Sequence, residues 1–293
     1  MLEKAPIDIV GFYLNCMRAV LEEGTYSFFD SSEGYLRFTP PPHIIVSPSE
    51  SLYPHLQHSH VVWAVQRIAE ISYSSRTYLE LTCVTAFKGR SEYTTIGVLT
   101  VQQKATAVSN NPTNINLPIS NGAGKYESNR SIIVSNLSCL SQHINLLKED
   151  QHAAINSTVQ SKNPQSQNSM RIDLVYVEDG KKLHSIKVFL TIIRAMARIA
   201  SLDYLQSLQE RDWMYEDGEL GVSITISKAS AQGRNADYGQ ANQALDFIAK
   251  TMLANNRYAE TEAWLYRDEP RRTDYATVSL RTYEAGAKTV QPV

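Results

Sequence analysis

The chain has 293 residues, and its 28 Lys and Arg nearly balance 30 Asp and Glu, for a net charge of −2. That balance leaves no broad electrostatic footprint for nucleic acid or an anionic membrane, and no apolar run is long enough for a transmembrane helix. The composition fits a soluble globular protein able to build two modest cores.

Taken in chain order, Ile9, Phe12, Tyr13, Cys16 and Val20 recur at helical spacing and predict a first helix, which closes at Thr25-Tyr26. A strand-like run follows, with Ile44 and Val46. Val61, Val65, Ile68 and Ala69 predict a second helix, closed by Thr77-Tyr78 and followed by strands through Cys83 and through Tyr93 to Thr100. From about Ala105 to Met170 the chain turns to Asn, Ser and Gln, as in Ser109-Asn110-Asn111-Pro112-Thr113-Asn114. Such sequence buries too little apolar surface to offset the entropy of ordering it, so a largely disordered linker is expected. Within it stand an apolar run, Ile132-Ile133-Val134, and a helical pattern near Leu140 to Ile155. Ile172, Leu174 and Tyr176 then predict an extra strand leading to the Glu178-Asp179-Gly180 turn. Ile186, Phe189, Leu190 and Ile193 predict a third helix, closed by Asp203-Tyr204. Val222, Ile224 and Ile226 alternate with Gly221, Ser223 and Thr225, as a strand with one buried face does. Ala241, Leu245, Ile248 and Met252 predict a fourth helix, closed by Arg257-Tyr258, and Val278 and Leu280 alternate with Ser279 and Arg281 in the last strand. The four closing Tyr read first as scaffold.

This order repeats itself. Phe12, Tyr13, Leu14, Met17, Arg18 and Ala19 align with Val188, Phe189, Leu190, Ile193, Arg194 and Ala195; Ile44, Val46 and Ser47 align with Ile224, Ile226 and Ser227. Ala64, Val65, Ile68, Ala69, Tyr78 and Glu80 fall on Ala244, Leu245, Ile248, Ala249, Tyr258 and Glu260, and Tyr93, Thr95, Ile96, Val98 and Thr100 on Tyr275, Thr277, Val278, Leu280 and Thr282. Internal repeats decide an architecture. The expectation is an α+β fold of tandem α-β-β-α-β-β two-layer sandwiches, helices on one face of a mainly antiparallel sheet. The copies are expected over 1–104 and 171–293, with the linker over 105–170.

The motifs that usually carry chemistry are missing. Gly122-Ala123-Gly124-Lys125 lacks the earlier Gly of a phosphate loop, where Ile119 stands, and Tyr126 replaces the Ser or Thr. His55, His58 and His60 cluster at the second helix without a zinc spacing or a neighbouring Cys or carboxylate, so a solvated helix entry is the expectation and no metal or cofactor is assigned. Cys139 and His143 lie one helical turn apart in polar sequence that would not hold a thiolate pair. Cys16 and Cys83 fall on apolar faces and read as core thiols, although one bridge within the first copy stays open. No signal segment precedes the first helix, which leaves a cytoplasmic protein or a secreted one whose signal has been removed. The sequons at Asn129, Asn136 and Asn156 add little in a stretch this rich in Asn and Ser.

One surface is a candidate site. If Ala259, Thr261, Ala263 and Leu265 face the helices, alternation sends Tyr258, Glu260, Glu262, Trp264 and Tyr266 to the other face, where Arg281 and Tyr283 join them. Aromatics mixed with charges suit a protein-binding surface. The competing expectation is that the other copy's sheet, with Tyr78, Glu80 and Val84 in comparable places, covers this face. Two Glu in the patch argue against nucleic acid.

Asp237-Tyr238-Gly239, Ala244-Leu245, Ile248 and Arg257-Tyr258 form a pattern that resembles uncharacterised, often secreted proteins of filamentous fungi: Tyr-Gly opening a helix, Ala-Leu inside it, then an aromatic-led hairpin. In the first copy His60 and Val61 stand where the pattern would be read, and the Tyr-Gly pair is absent. The resemblance implies a fungal, secreted or host-directed protein and brings no catalytic residue with it. The functional expectation is a non-catalytic interaction protein with an unidentified protein partner, using Tyr258, Glu260, Trp264, Tyr266 and Arg281. The alternative is an enzyme or small-ligand binder with a pocket at the junction of the copies.

Overall fold

Helical spacing is realised at all four places where the sequence shows it: α1 (Ile9–Glu23), α2 (His58–Ser75), α3 (Ser185–Ala200) and α4 (Tyr238–Ala254). The structure, a computed structural model, describes residues 6–26, 28–32, 35–49, 55–88, 93–103, 130–134, 171–202, 204–208, 212–228, 236–269 and 271–283. Of the segment 105–170 it describes only a strand backbone over Arg130–Val134. The expected helix near Leu140, the Cys139–His143 pair and the Gly122–Lys125 run lie outside the described residues.

The protein is α+β, with two antiparallel five-stranded sheets. Contacts divide it into two units. The first comprises Met1–Asn15, Ser31–Leu56 and Tyr78–Ser138; the second comprises Cys16–Asp30, Gln57–Thr77 and Cys139–Val293, so α2 and the end of α1 are grouped with the second sheet.

In the first unit β1 (Leu36–Phe38), β2 (His43–Pro48), β3 (Leu81–Lys88), β4 (Tyr93–Gln102) and β5 (Arg130–Val134) lie in the order β1-β2-β4-β3-β5. Ile44, Val46, Cys83, Leu99 and Val101 are buried. They occupy one side of the ladder, since Ile44 pairs with Val101, Val46 with Leu99, and Cys83 with Leu99. Phe12 and Tyr13 of α1 meet Tyr78 edge-on, at centroid distances of 6.5 and 6.1 Å. Asn15 donates to the Pro42 carbonyl at 2.8 Å and so fastens the helix to the loop ahead of β2. Cys16 and Cys83 are buried free thiols, and burial pushes the Cys16 thiol well up.

In the second unit β6 (Arg171–Tyr176), β7 (Trp213–Asp217), β8 (Val222–Lys228), β9 (Thr261–Glu269) and β10 (Arg271–Thr282) lie in the order β6-β9-β10-β8-β7. The extra strand expected around Ile172 is β6, at a sheet edge beside β9. α3 packs against α2, α4 and β8, which is why Val188, Phe189, Leu190, Ile192, Ile193 and Met196 are all buried: a helix with neighbours on several sides is apolar nearly all round. α4 packs against β6, β9 and β10. Each large side chain so buried contributes about 1.5–3 kcal/mol.

Several local hydrogen bonds occur in pairs. Ile7 N donates to Tyr78 O at 3.1 Å and Leu183 N to Tyr258 O at 2.9 Å; Ser32 N donates to Leu56 O at 2.7 Å and Leu208 N to Ala236 O at 2.8 Å. The helix starts dock alike: His58 N on Asp30 O (3.2 Å) and Ser59 N on Phe28 O (2.9 Å), Tyr238 N on Gln206 O (3.1 Å) and Gly239 N on Tyr204 O (3.0 Å). The ladders correct one sequence alignment. Cys83 pairs with Leu99 where Ala263 pairs with Val278, so Leu99 rather than Ile96 takes the place of Val278. Both hairpins carry a bulge at the same ladder step: past Thr85↔Gly97 the first skips Ile96, and past Leu265↔Ala276 the second skips Tyr275.

Candidate functional site

The inner side of the second sheet is set by Ala259, Thr261, Ala263 and Leu265, all buried, together with Ala276, Val278 and Leu280. Alternation therefore turns Glu262 and Trp264 outward. Trp264 is half-buried and stands between Asp173 of β6 and Thr277 of β10, its direct neighbours across the two ladders. Both neighbours are short, so the indole rises from a flat, hydroxyl-rich face that continues through Ser279, Ser223 and Thr225.

The charges around it are held. Arg281 donates to the Thr261 carbonyl at 2.7 Å and lies 3.4 Å from the Glu262 carboxylate, each side chain about one third exposed. Glu260 accepts from Thr282 N at 2.8 Å and also from the Thr282 hydroxyl. Burial pushes the Glu260 carboxyl up, but the hydrogen bonds from Thr282 and from the Lys181 backbone, with the nearby Arg281, hold it below the usual carboxylate range. Glu80 carries the same kind of bond, accepting from Gln103 N at 2.8 Å.

Two expected members of the patch are not open contacts. Tyr266 shares the Trp264 side of β9 but is only 8% exposed, and its hydroxyl donates to Asp173 Oδ1 at 3.0 Å, so it is held against that side. Tyr258 is turned toward α3, its ring edge-on to buried Phe189 at 5.8 Å. It lies three residues ahead of β9, where no continuous ladder enforces alternation. Burial, with a smaller contribution from Tyr176, pushes its phenol up. Glu260, Trp264 and Arg281 remain on or beside the outer face.

The histidines at α2 are occupied. His58 Nδ1 lies 2.8 Å from Glu23 Oε2 and its ring stacks on Tyr26, while His60 Nδ1 accepts from Gln57 N at 3.0 Å. Among the described residues no three His, Cys, Asp or Glu side chains are placed to share a metal ion.

Sequence reading missed a charged cluster in the second unit. The Arg194 guanidinium of α3 reaches Glu70 of α2 at 3.0 Å, Asp217 of β7 at 2.7 Å and Glu219 at 3.4 Å. Burial alone would lower the Arg194 pKa, but Asp217 and Glu70 outweigh it and keep the group firmly charged. The Tyr215 phenol beside it is pushed up to about 12, mainly by burial and by Asp217. With every charge answered, the cluster is a structural clamp rather than a reactive centre.

Among the described residues no helix is long and apolar enough to cross a membrane. Compared with known proteins, the chain matches no family model, no curated protein and no solved structure.

Proposed function

We propose that this chain is a non-catalytic interaction protein that engages a protein partner through the outer face of its second sheet, with Trp264 as anchor and Glu260 and Arg281 at the rim. The observation that carries the reading is Trp264 itself: a large aromatic side chain, half-buried, on the side of the sheet opposite the Ala263 and Leu265 core. Rigid aromatics of this kind supply much contact area for little lost entropy. The Tyr266–Asp173 and Arg281–Glu262 contacts hold the surroundings in place before a partner arrives, which lowers the ordering cost of binding. Trp264→Ala should weaken capture of the partner at unchanged melting temperature. A fall of several degrees would instead make the residue part of a packed interior, and the reading would fail.

The same proposal includes an origin by duplication, as two α-β-β-α-β-β copies with helices on one sheet face. In its favour stand the equivalent orders of four strands, β1-β2-β4-β3 and β7-β8-β10-β9, and the paired bonds at Tyr78 and Tyr258 and at the starts of α2 and α4. The aromatic contact Tyr13–Tyr78 likewise matches Phe189–Tyr258. Ile44→Ala and Ile224→Ala, which empty equivalent buried positions, should each cost about 2–5 kcal/mol. If one is costly and the other neutral, the equivalence is wrong. A fungal, secreted or host-directed setting rests on the Tyr238-Gly239 motif, which opens α4.

A further inference from the structure

We infer that the first turn of α2 is an acid-sensitive latch, released when His60 takes up a proton. The first turn of a helix leaves backbone N–H groups without partners, and here a side chain answers the one that precedes it: Gln57 N donates to His60 Nδ1 at 3.0 Å. An imidazole accepts only at an unprotonated nitrogen. The bond therefore requires the neutral ring, with its proton on the other nitrogen. His60 is only 8% exposed, so the ring has little room to turn away and regain a partner in water.

Protonation has two local consequences. Nδ1 becomes a donor facing the Gln57 N–H, and the bond is lost. A positive charge also appears at the positive end of the helix dipole, where it is unfavourable. The turn so loosened is the one that docks on residues 28–30, through His58 N to Asp30 O at 3.2 Å and Ser59 N to Phe28 O at 2.9 Å. The groups around it are His58 on the same turn, Glu23 bonded to His58 with Glu22 beside it at the end of α1, Tyr26 stacked on His58, Trp63 edge-on to His60, and exposed His55 ahead of the cap. Burial raises the Glu23 carboxyl pKa, and His58 works against that shift. His58 faces a carboxylate, whereas His60 Nδ1 faces a backbone N–H, so the two rings sit in different surroundings.

The chain contains its own control. α4 starts with the same backbone docking, but its cap uses Gln240, whose Oε1 accepts from Asp237 N at 3.1 Å. An amide does not titrate in this range. The Asp237 carboxylate also accepts from Gln240 N at 2.7 Å, but carboxylates change charge near pH 4, below the histidine range, so only the α2 start should respond within it.

Amide hydrogen exchange on the full chain, corrected for intrinsic rates, tests this between about pH 7.5 and pH 5.5, the range over which histidine changes charge. Protection at Gln57 to Ser59 should fall by about fivefold or more as the cap is lost, while Asp237 to Gly239 stay level. His60→Gln, which copies the α4 cap, should abolish the fall, and His58→Gln should leave it in place. Following the His60 ring protons of the native chain through the same titration guards against a variant that folds poorly, because the ring and the Gln57 amide should titrate with one midpoint. Equal loss at both helix starts, a fall that survives His60→Gln, or a ring that titrates without change at Gln57 would each overturn the inference.

Discussion

Gly239→Ala tests why a glycine stands second in α4. A Cβ built on Gly239 would lie 2.1 Å from Tyr204 Cε1, 2.5 Å from Cδ1 and 2.6 Å from Cζ, all far inside van der Waals contact. The Tyr204 backbone cannot easily retreat, because its carbonyl accepts from Gly239 N at 3.0 Å and Gln206 O accepts from Tyr238 N at 3.1 Å, so relief has to come from turning the ring out of its place. Overpacking of this kind costs about 1–3 kcal/mol. Alanine returns at most about 1 kcal/mol through helix propensity, and less in a first turn. The net loss should be about 1–2 kcal/mol, a drop of roughly 2–8 °C in melting temperature for a chain of this size. Thermal melts of Gly239→Ala, Tyr204→Ala and the double variant form the assay. With the ring removed, the added methyl should be neutral or slightly stabilising. If Gly239→Ala melts with the native protein, or loses as much in the Tyr204→Ala background, the glycine is not there to admit the ring.

Arg194→Met should cost about 3 kcal/mol or somewhat less, since it strands Asp217 and Glu70 in a partly solvated cluster, and urea unfolding should register it. Arg194→Lys should recover only part, because an ammonium cannot bridge Glu70 and Asp217 as the planar fork does. Trp264→Phe should keep a share of the partner affinity that Trp264→Ala loses, as read by titration calorimetry. Glu260 holds its carboxyl below the unfolded value, so its contribution is present above about pH 4.3 and is lost as pH falls through the lower folded pKa. Glu260→Gln should therefore flatten the acid limb of a stability profile below about pH 4.3 and leave the slope near neutrality unchanged.

The helices were legible because their signal is local: four or five apolar residues at 3.6 spacing suffice, and Phe12, Val65, Phe189 and Leu245 are all buried as that spacing requires. The inner face of β9 was legible for the same reason at period two. What failed depended on partners far along the chain. The alignment of Val98 with Leu280 is three residues out of step, since Val101 stands opposite Leu81 where Leu280 stands opposite Thr261, and an odd shift in a strand reverses the face. Tyr266 is not open as alternation alone suggests, and the partner of its hydroxyl, Asp173, comes from β6, 93 residues away. The Arg194 clamp draws Glu70 from 124 residues off and Asp217 from 23, a combination that no short motif encodes.

That distinction bears on where function is to be sought. Under the proposed duplication, the paired bonds at Tyr78 and Tyr258, and at the starts of α2 and α4, lie where the two copies agree, and agreement of that kind is what a shared scaffold needs. The differences are more informative. Val84 occupies the ladder position that Trp264 occupies in the second sheet, since each pairs with the corresponding residue of the next strand, Val98 and Thr277. His60 stands where α4 has Gln240. A scaffold under one set of packing demands has no need of an indole on one outer face and a valine on the other, nor of a titratable cap on one helix and an amide on its counterpart. Under the proposed duplication, positions that diverge while the cores stay alike are ones the packing no longer explains. Trp264 and His60 are therefore the two positions at which a change should alter binding or pH response while both sheets remain folded.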